Sequence, residues 1–266
     1  MIYFLSDAHL GSRAMPYDVY EHQRRVIQML NRFKKDATAI YLLGDIFDFW
    51  YEYKWNDKSK EQYKAITQCL RHLVRRGITV HFFPGNHDLW TFGGLHKMTG
   101  IKVHYKPYKT IEYGKSLYMA HGDGLIPTGM EKLPQIRKFI RLRAIFHNPK
   151  AQKAFSLLPP CIGNAIGYSW AKKSRLKELA KPCPYKGKDK EELVLYSREY
   201  ETSPKTHHHD YYIYGHRHIA LDEAISADSR VIILGDCFQQ YTYAQLNENG
   251  EMQLKKFDIC TAEKNN

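Results

Sequence analysis

"ITVHFFPGNHD", residues 78–88, runs as an apolar strand and then stops on Gly85, Asn86, His87 and Asp88, which suit neither a strand nor a core. The pattern recurs at four other places. IYFLS (2–6) ends in Asp7, Ala8 and His9, and AIYLL (39–43) ends in Gly44, Asp45, Ile46, Phe47 and Asp48. KSLYMA (115–120) leads to His121, Gly122 and Asp123, and DYYIY (210–214) leads to Gly215, His216, Arg217 and His218. Open α/β sheets build their sites beyond the C-terminal tips of their strands, so residues as distant in sequence as Asp7 and His218 can meet there.

Outward from these tips, the first half alternates short apolar strands with helical stretches near 18–35 and 60–76, the rhythm of a layered α/β domain. Residues 110–121 read as a hairpin turning at Gly114, and strands return at 210–215, 230–235, 240–246 and 252–257, spaced as an antiparallel run. Between the halves the pattern breaks. KLPQIRKFIRLRAIF places Leu133, Ile136, Phe139 and Ile140 at helical spacing among Arg137, Lys138, Arg141 and Arg143, and CIGNAIGYSWAKKSRLKELA repeats the mixture. The expected organisation is a core of residues 1–124 and 207–266 with an inserted cap, residues 125–206, of basic amphipathic helices.

Charge is distributed in the same uneven way. The chain carries a formal +12, and residues 125–205 hold 17 Lys and Arg against 7 Asp and Glu, so +10 of the excess lies in the insertion. Such a local excess serves a polyanion or an anionic surface rather than general solubility. The five cysteines are scattered without a CxxC pair, so neither a zinc ribbon nor a disulfide framework is indicated. No apolar run reaches the roughly 18 residues that span a bilayer, and the expected location is the cytoplasm.

A group of Asp, His and Asn without a thiolate suits Mn²⁺, Fe or Zn²⁺ held by oxygen and imidazole. Seven candidate ligands at these tips exceed what one ion accepts. Two ions about 3.5–4 Å apart, bridged by a carboxylate such as Asp45, account for the surplus. Glycines before Asp45, Asn86 and His216 permit the sharp turns and close approach that such a site needs. Each motif alone is common; five in this order, each following a strand, carry the reading.

The set DxH, GDxxD, GNHD, HGD and GHxH resembles the calcineurin-like metallophosphoesterases. That resemblance implies an α/β fold, a four-layer α/β/β/α sandwich of two mixed sheets, with the helical cap inserted. It further implies one metal held by Asp7, His9, Asp45 and His218 and another by Asp45, Asn86, His121 and His216, most simply two Mn²⁺ ions. The reaction expected is hydrolysis of a phosphate ester or anhydride. His87 would act beside the metals as a catalytic group oriented by Asp88, while Asp48 and Asp123 would support the ligands or their turns.

Within that superfamily GDIFDFW, the long insertion after HGD, and RVIILGDCF resemble the UDP-2,3-diacylglucosamine hydrolases, which release UMP and 2,3-diacylglucosamine 1-phosphate on the way to lipid A. The resemblance implies a nucleotide-linked acylated sugar as substrate and an anionic membrane surface as partner, reached peripherally at the cytoplasmic face of the inner membrane. It places Asn86, Ser174 and Lys181 at the substrate; Glu178 and His87 depart from the family's common Asn and Arg. Apolar cap positions such as Ile136, Phe139, Ile140, Phe155 and Leu158 would receive acyl chains. The alternative is another phosphodiesterase or nuclease of the superfamily. The cap's cations are interleaved with aliphatic rather than base-stacking aromatic residues, so no nucleic acid is expected.

Overall fold

A computed structural model describes residues 1–15, 18–54, 57–180 and 184–259. Four short strands, β1 (Ile2–Leu5), β2 (Ala39–Leu42), β3 (Thr79–Phe82) and β4 (Lys102–Val103), pair in parallel in that order. Two late strands complete this sheet on the free side of β1: β10 (Thr242–Leu246) pairs antiparallel with β1, and β11 (Met252–Lys256) lies outside it. The second sheet runs β5 (Tyr108–Glu112), β6 (Lys115–Ala120), β7 (Tyr211–Tyr214), β9 (Arg230–Leu234) and β8 (Ala220–Ala224).

Strands such as IYFL and YYIY are buried at every position because both faces of each sheet are covered. Between the sheets Phe4, Tyr41, Met119, Ile213, Ile232 and Leu246 form a shared core. The outer face of the first sheet is covered by α1 (Val19–Phe33) and α2 (Lys64–Arg75), through Val26, Leu30, Phe33, Ile66 and Leu70. The Asp18 carboxylate caps α1 by accepting from the amides of Tyr20 and Glu21. A short helix, α3 (Gly94–Thr99), follows the site loop after β3.

Two readings change. The late strands are not one antiparallel run: β7 pairs in parallel with β9, β8 is a further antiparallel strand, and β10 and β11 join the other sheet. The chain switches sheets after Leu234, a move that strand spacing does not encode. Helix α7 (Glu192–Thr202), inside the stretch expected to be cap, packs Leu193 and Val194 on Tyr212, Tyr214 and Ile233 and forms the fourth layer. The other α-helices of that stretch are α4 (Pro134–His147), α5 (Pro149–Phe155) and α6 (Pro160–Ala180).

These three helices are poorly buried. Helix α4 buries only Ile136, while Leu142, Ile145, Leu157, Ile162 and Ile166 stand exposed. Among the described residues no helix is long and apolar enough to cross a membrane. We expect Ile213→Ala, between the sheets, to destabilise the protein by about 2–5 kcal/mol in urea unfolding. Leu142→Ala on the insertion should stay within about 0.5 kcal/mol; equal losses at the two positions would contradict this division of the core.

Candidate metal centre

The loops that leave β1, β2, β3, β6 and β7 are laced together before any side chain is counted. The amides of Asp7 and His9 donate to the carbonyls of Gly44 and Asp45, each at 2.9 Å, and Cys237 N donates to Asp7 O at 3.1 Å. Non-glycine residues with positive φ number 7 among the described residues, and Asp7, His9, Asp45, His216 and His218 are among them. A left-handed non-glycine residue costs about 1–3 kcal/mol and persists only where its surroundings fix it. Gly85 and Gly215 supply close approach instead: a Cβ at Gly85 would collide with Asp45 Oδ1, and one at Gly215 with Asp7 Oδ2.

Five of the seven expected ligands converge in linked clusters, and a further cluster joins His9 and Asp45 to His87. Asp7, His9 and His218 form one, and Asp7, Asp45 and His121 another, with ligand atoms within 4.8 Å of each other in each. His218 Nε2 lies 3.0 Å from Asp7 Oδ1, His9 Nε2 lies 3.9 Å from both Asp7 Oδ1 and Asp45 Oδ2, and His121 Nε2 is 3.5 Å from Asp45 Oδ2. Asn86 Oδ1 is buried without a hydrogen-bond partner. The His216 ring stands 5.1 Å from that of His121, outside these clusters, while its amide donates to Asp7 Oδ2 at 2.9 Å.

The histidine tautomers suit ligation. His121 Nδ1 donates to Leu43 O at 2.8 Å, which fixes the ring and aims its buried Nε2 at Asp45. Electrostatics points the same way. Burial alone would push the Asp7 and Asp45 carboxyls up, but His218 and His121 hold both below the usual range. Burial would likewise lower His218, yet Asp7 and Glu178 raise it to about 9, and Asp45 lifts His121 well above its ordinary value. His216, buried beside His121, falls to about 4. A pocket that draws protons onto two buried histidines is one that demands positive charge, and its oxygen and imidazole donors fit hard or borderline divalent cations.

Sequence reasoning missed a third source of that charge. Arg175 from α6 is 1% exposed, sends Nη2 to 2.6 Å from His9 Nε2, and lies over the Phe238 ring at 5.1 Å. Its neighbour Glu178, one helical turn on, pairs with both Arg175 and His218 Nδ1. In the sequence Arg175 was one charge among many on a basic helix, and Glu178 stood out only as a departure from the resembled family. Only the descent of α6 onto the strand tips distinguishes them.

The expected catalytic pair divides. His87 is buried at the cluster, its ring 4.9 Å from His9 and 4.8 Å from Trp170, with Nδ1 donating to Asp48 O at 2.8 Å. Asp88 does not orient it. The Asp88 carboxylate turns away and accepts from the amides of Gly85, Asp45, Ile46 and Phe47 at 2.7–3.3 Å, so it ties the β3 loop to the β2 loop. Burial and the nearby Asp45 raise it to about 7 against those amides. Asp48 Oδ1 faces His9 Nδ1 at 3.6 Å, and Asp123 is paired with Arg143 of α4 at 2.7 Å. Ser174 is exposed on α6, and Lys181 lies outside the described residues.

The profile of the calcineurin-like phosphoesterase family matches residues 1–220. A protein of Porphyromonas gingivalis named UDP-2,3-diacylglucosamine hydrolase is 34% identical over 257 residues, covering 91% of this chain and 92% of that protein. One of the same name from Vibrio atlanticus is 28% identical over 96% of this chain and 97% of its own length, and one from Nitrosococcus oceani is 26% identical over 88% and 86%. From the geometry of Asp88, we expect Asp88→Ala to lower stability by roughly 3 kcal/mol or more, because four buried amides lose their shared acceptor. A thermal melting curve unchanged from that of the parent protein would show that the two loops hold without it.

Proposed function

Because this chain belongs to the calcineurin-like phosphoesterase family, and is a metal-dependent hydrolase, we propose that it cleaves the pyrophosphate of UDP-2,3-diacylglucosamine to UMP and 2,3-diacylglucosamine 1-phosphate. One observation carries the choice of substrate. A cavity of about 290 Å³ lined by Phe49, Trp90, Leu142, Phe146, Phe155 and Trp170 opens beside the centre, and Trp170 packs its ring on His87. An apolar chamber one side chain from a cluster of ligands suits a molecule whose acyl chains lie close to its phosphates. The names of the relatives point to the same molecule. Of the positions read from the sequence, Phe155 lines the chamber; Ile136, Phe139, Ile140 and Leu158 do not.

On this reading Asp7, His9, Asp45 and His218 would hold one divalent ion and Asp45, Asn86, His121 and His216 the other, with Mn²⁺ the expected metal. Such ions supply Lewis acidity to the phosphoryl oxygens and acidify a water nucleophile. The protein's own groups then do the rest. His87, its Nδ1 fixed on the Asp48 carbonyl, offers Nε2 to the phosphoryl group and stabilises charge that develops there. Trp170 and the cap helices exclude bulk water from that side. Exposed Leu142, Ile145, Ile162 and Ile166 among the lysines and arginines of α4–α6 would seat the cap on an anionic membrane, at the inner membrane's cytoplasmic face.

Purified protein loaded with Mn²⁺ should release UMP from UDP-2,3-diacylglucosamine, followed by mass spectrometry. Cleavage of bis-p-nitrophenyl phosphate or DNA with that substrate left intact would overturn the reading in favour of another phosphodiesterase or nuclease. His87→Ala should keep its bound metal, measured by elemental analysis, while turnover falls by about 10²–10³-fold. An unchanged rate would make His87 a packing residue.

A further inference from the structure

Helix α6 has a second face. Ile166, Gly167 and Trp170 line the apolar chamber, whereas Asn164, Ala165, Tyr168, Ser169 and Lys172 line a separate groove of about 820 Å³. The other wall of the groove is Arg13, from the loop after β1, and the Asp57–Ser59 turn that opens the 3₁₀ helix Lys58–Tyr63. Its floor is built: Asn164, 8% exposed, donates to Asp57 Oδ1 at 2.9 Å and to Ser59 Oγ at 3.0 Å, and Asp57 Oδ2 is buried without a partner. Among the described residues, Arg13, Lys58 and Lys172 make no ion pair. Asp48, which lines the groove, also faces His9, so the groove opens onto the ligand cluster.

We propose that this groove binds the nucleoside monophosphate half of the substrate. The inference rests on the function proposed above and adds a location to it. A pyrophosphate seated at the cluster, with its acylated half in the chamber on one face of α6, directs its other half to the opposite face. There three cations without carboxylate partners meet two carboxylates, with hydroxyl and amide groups between them. That is a lining for an anionic, hydrogen-bonding ligand rather than an apolar one. The volume is within the range of sites that enclose small ligands.

The test is calorimetric titration of the Mn²⁺-loaded, full-length enzyme with UMP and, separately, with inorganic phosphate. We expect Lys172→Ala combined with Arg13→Ala to weaken UMP binding at least about tenfold and phosphate binding much less. Ile166→Ala, on the chamber face, should bind UMP as the parent does. Melting temperature and metal content of each variant establish that the fold and centre persist. Equal UMP affinity in the double variant, an equal loss for phosphate, or the same loss in Ile166→Ala would overturn the groove while leaving the proposed reaction standing. Failure of the parent enzyme to bind UMP at millimolar concentration would overturn both.

Discussion

Two carboxylates, Asp7 and Asp45, are buried almost completely and share a cluster whose ligand atoms lie within 4.8 Å. Like charges in so little water are tolerable only if positive charge is brought to them, and the surrounding architecture answers that demand. His121 and His218 are drawn toward protonation, and Arg175 is pulled in from the insertion. Divalent cations meet the same demand with fewer compromises, since they engage carboxylate and imidazole together. The strand tips, the short loops and the two sheets converging on one edge are the means of holding that pair together.

The insertion answers to a different constraint. Its helices bury little on their own account and are attached by a few specific bonds: Trp90 Nε1 donates to Phe146 O, Tyr51 OH to Gln152 O, and Arg143 to Asp123. A layer fastened at its rims over an apolar interior can accept a ligand without disturbing the sandwich below. Helix α7 belongs to that sandwich, where Ser197 bonds Tyr214 at 3.0 Å.

Legibility in the sequence followed the range of the interactions. Strand tips with Asp, His and Asn were readable because both the apolar run and the polar stop are local, and the fold brings Asp7, His9, Asp45, His121 and His218 together. The exchange of sheets by β10, the parallel pairing of β7 with β9, and the packing of α7 depend on partners far along the chain. Adjacency misled at Asp88, where a neighbour in sequence to His87 is spent on backbone amides of another loop. Arg175 and Trp170 were hidden for the opposite reason, since a basic or aromatic residue on an amphipathic helix looks the same whichever way the helix descends.

The left-handed backbone at Asp7, His9, Asp45, His216 and His218 limits what mutation can explore. On the proposed metal-binding reading, each of these positions must satisfy two filters at once, a side chain that donates an electron pair and a main chain that tolerates positive φ. Asn, Asp and His are enriched in that region and carry suitable atoms; glycine fits the backbone but offers no donor, and glutamate and cysteine offer donors without that tolerance. The alphabet open to these loops is therefore smaller than coordination chemistry alone would allow, and swapping ligand types would require rebuilding the turn as well.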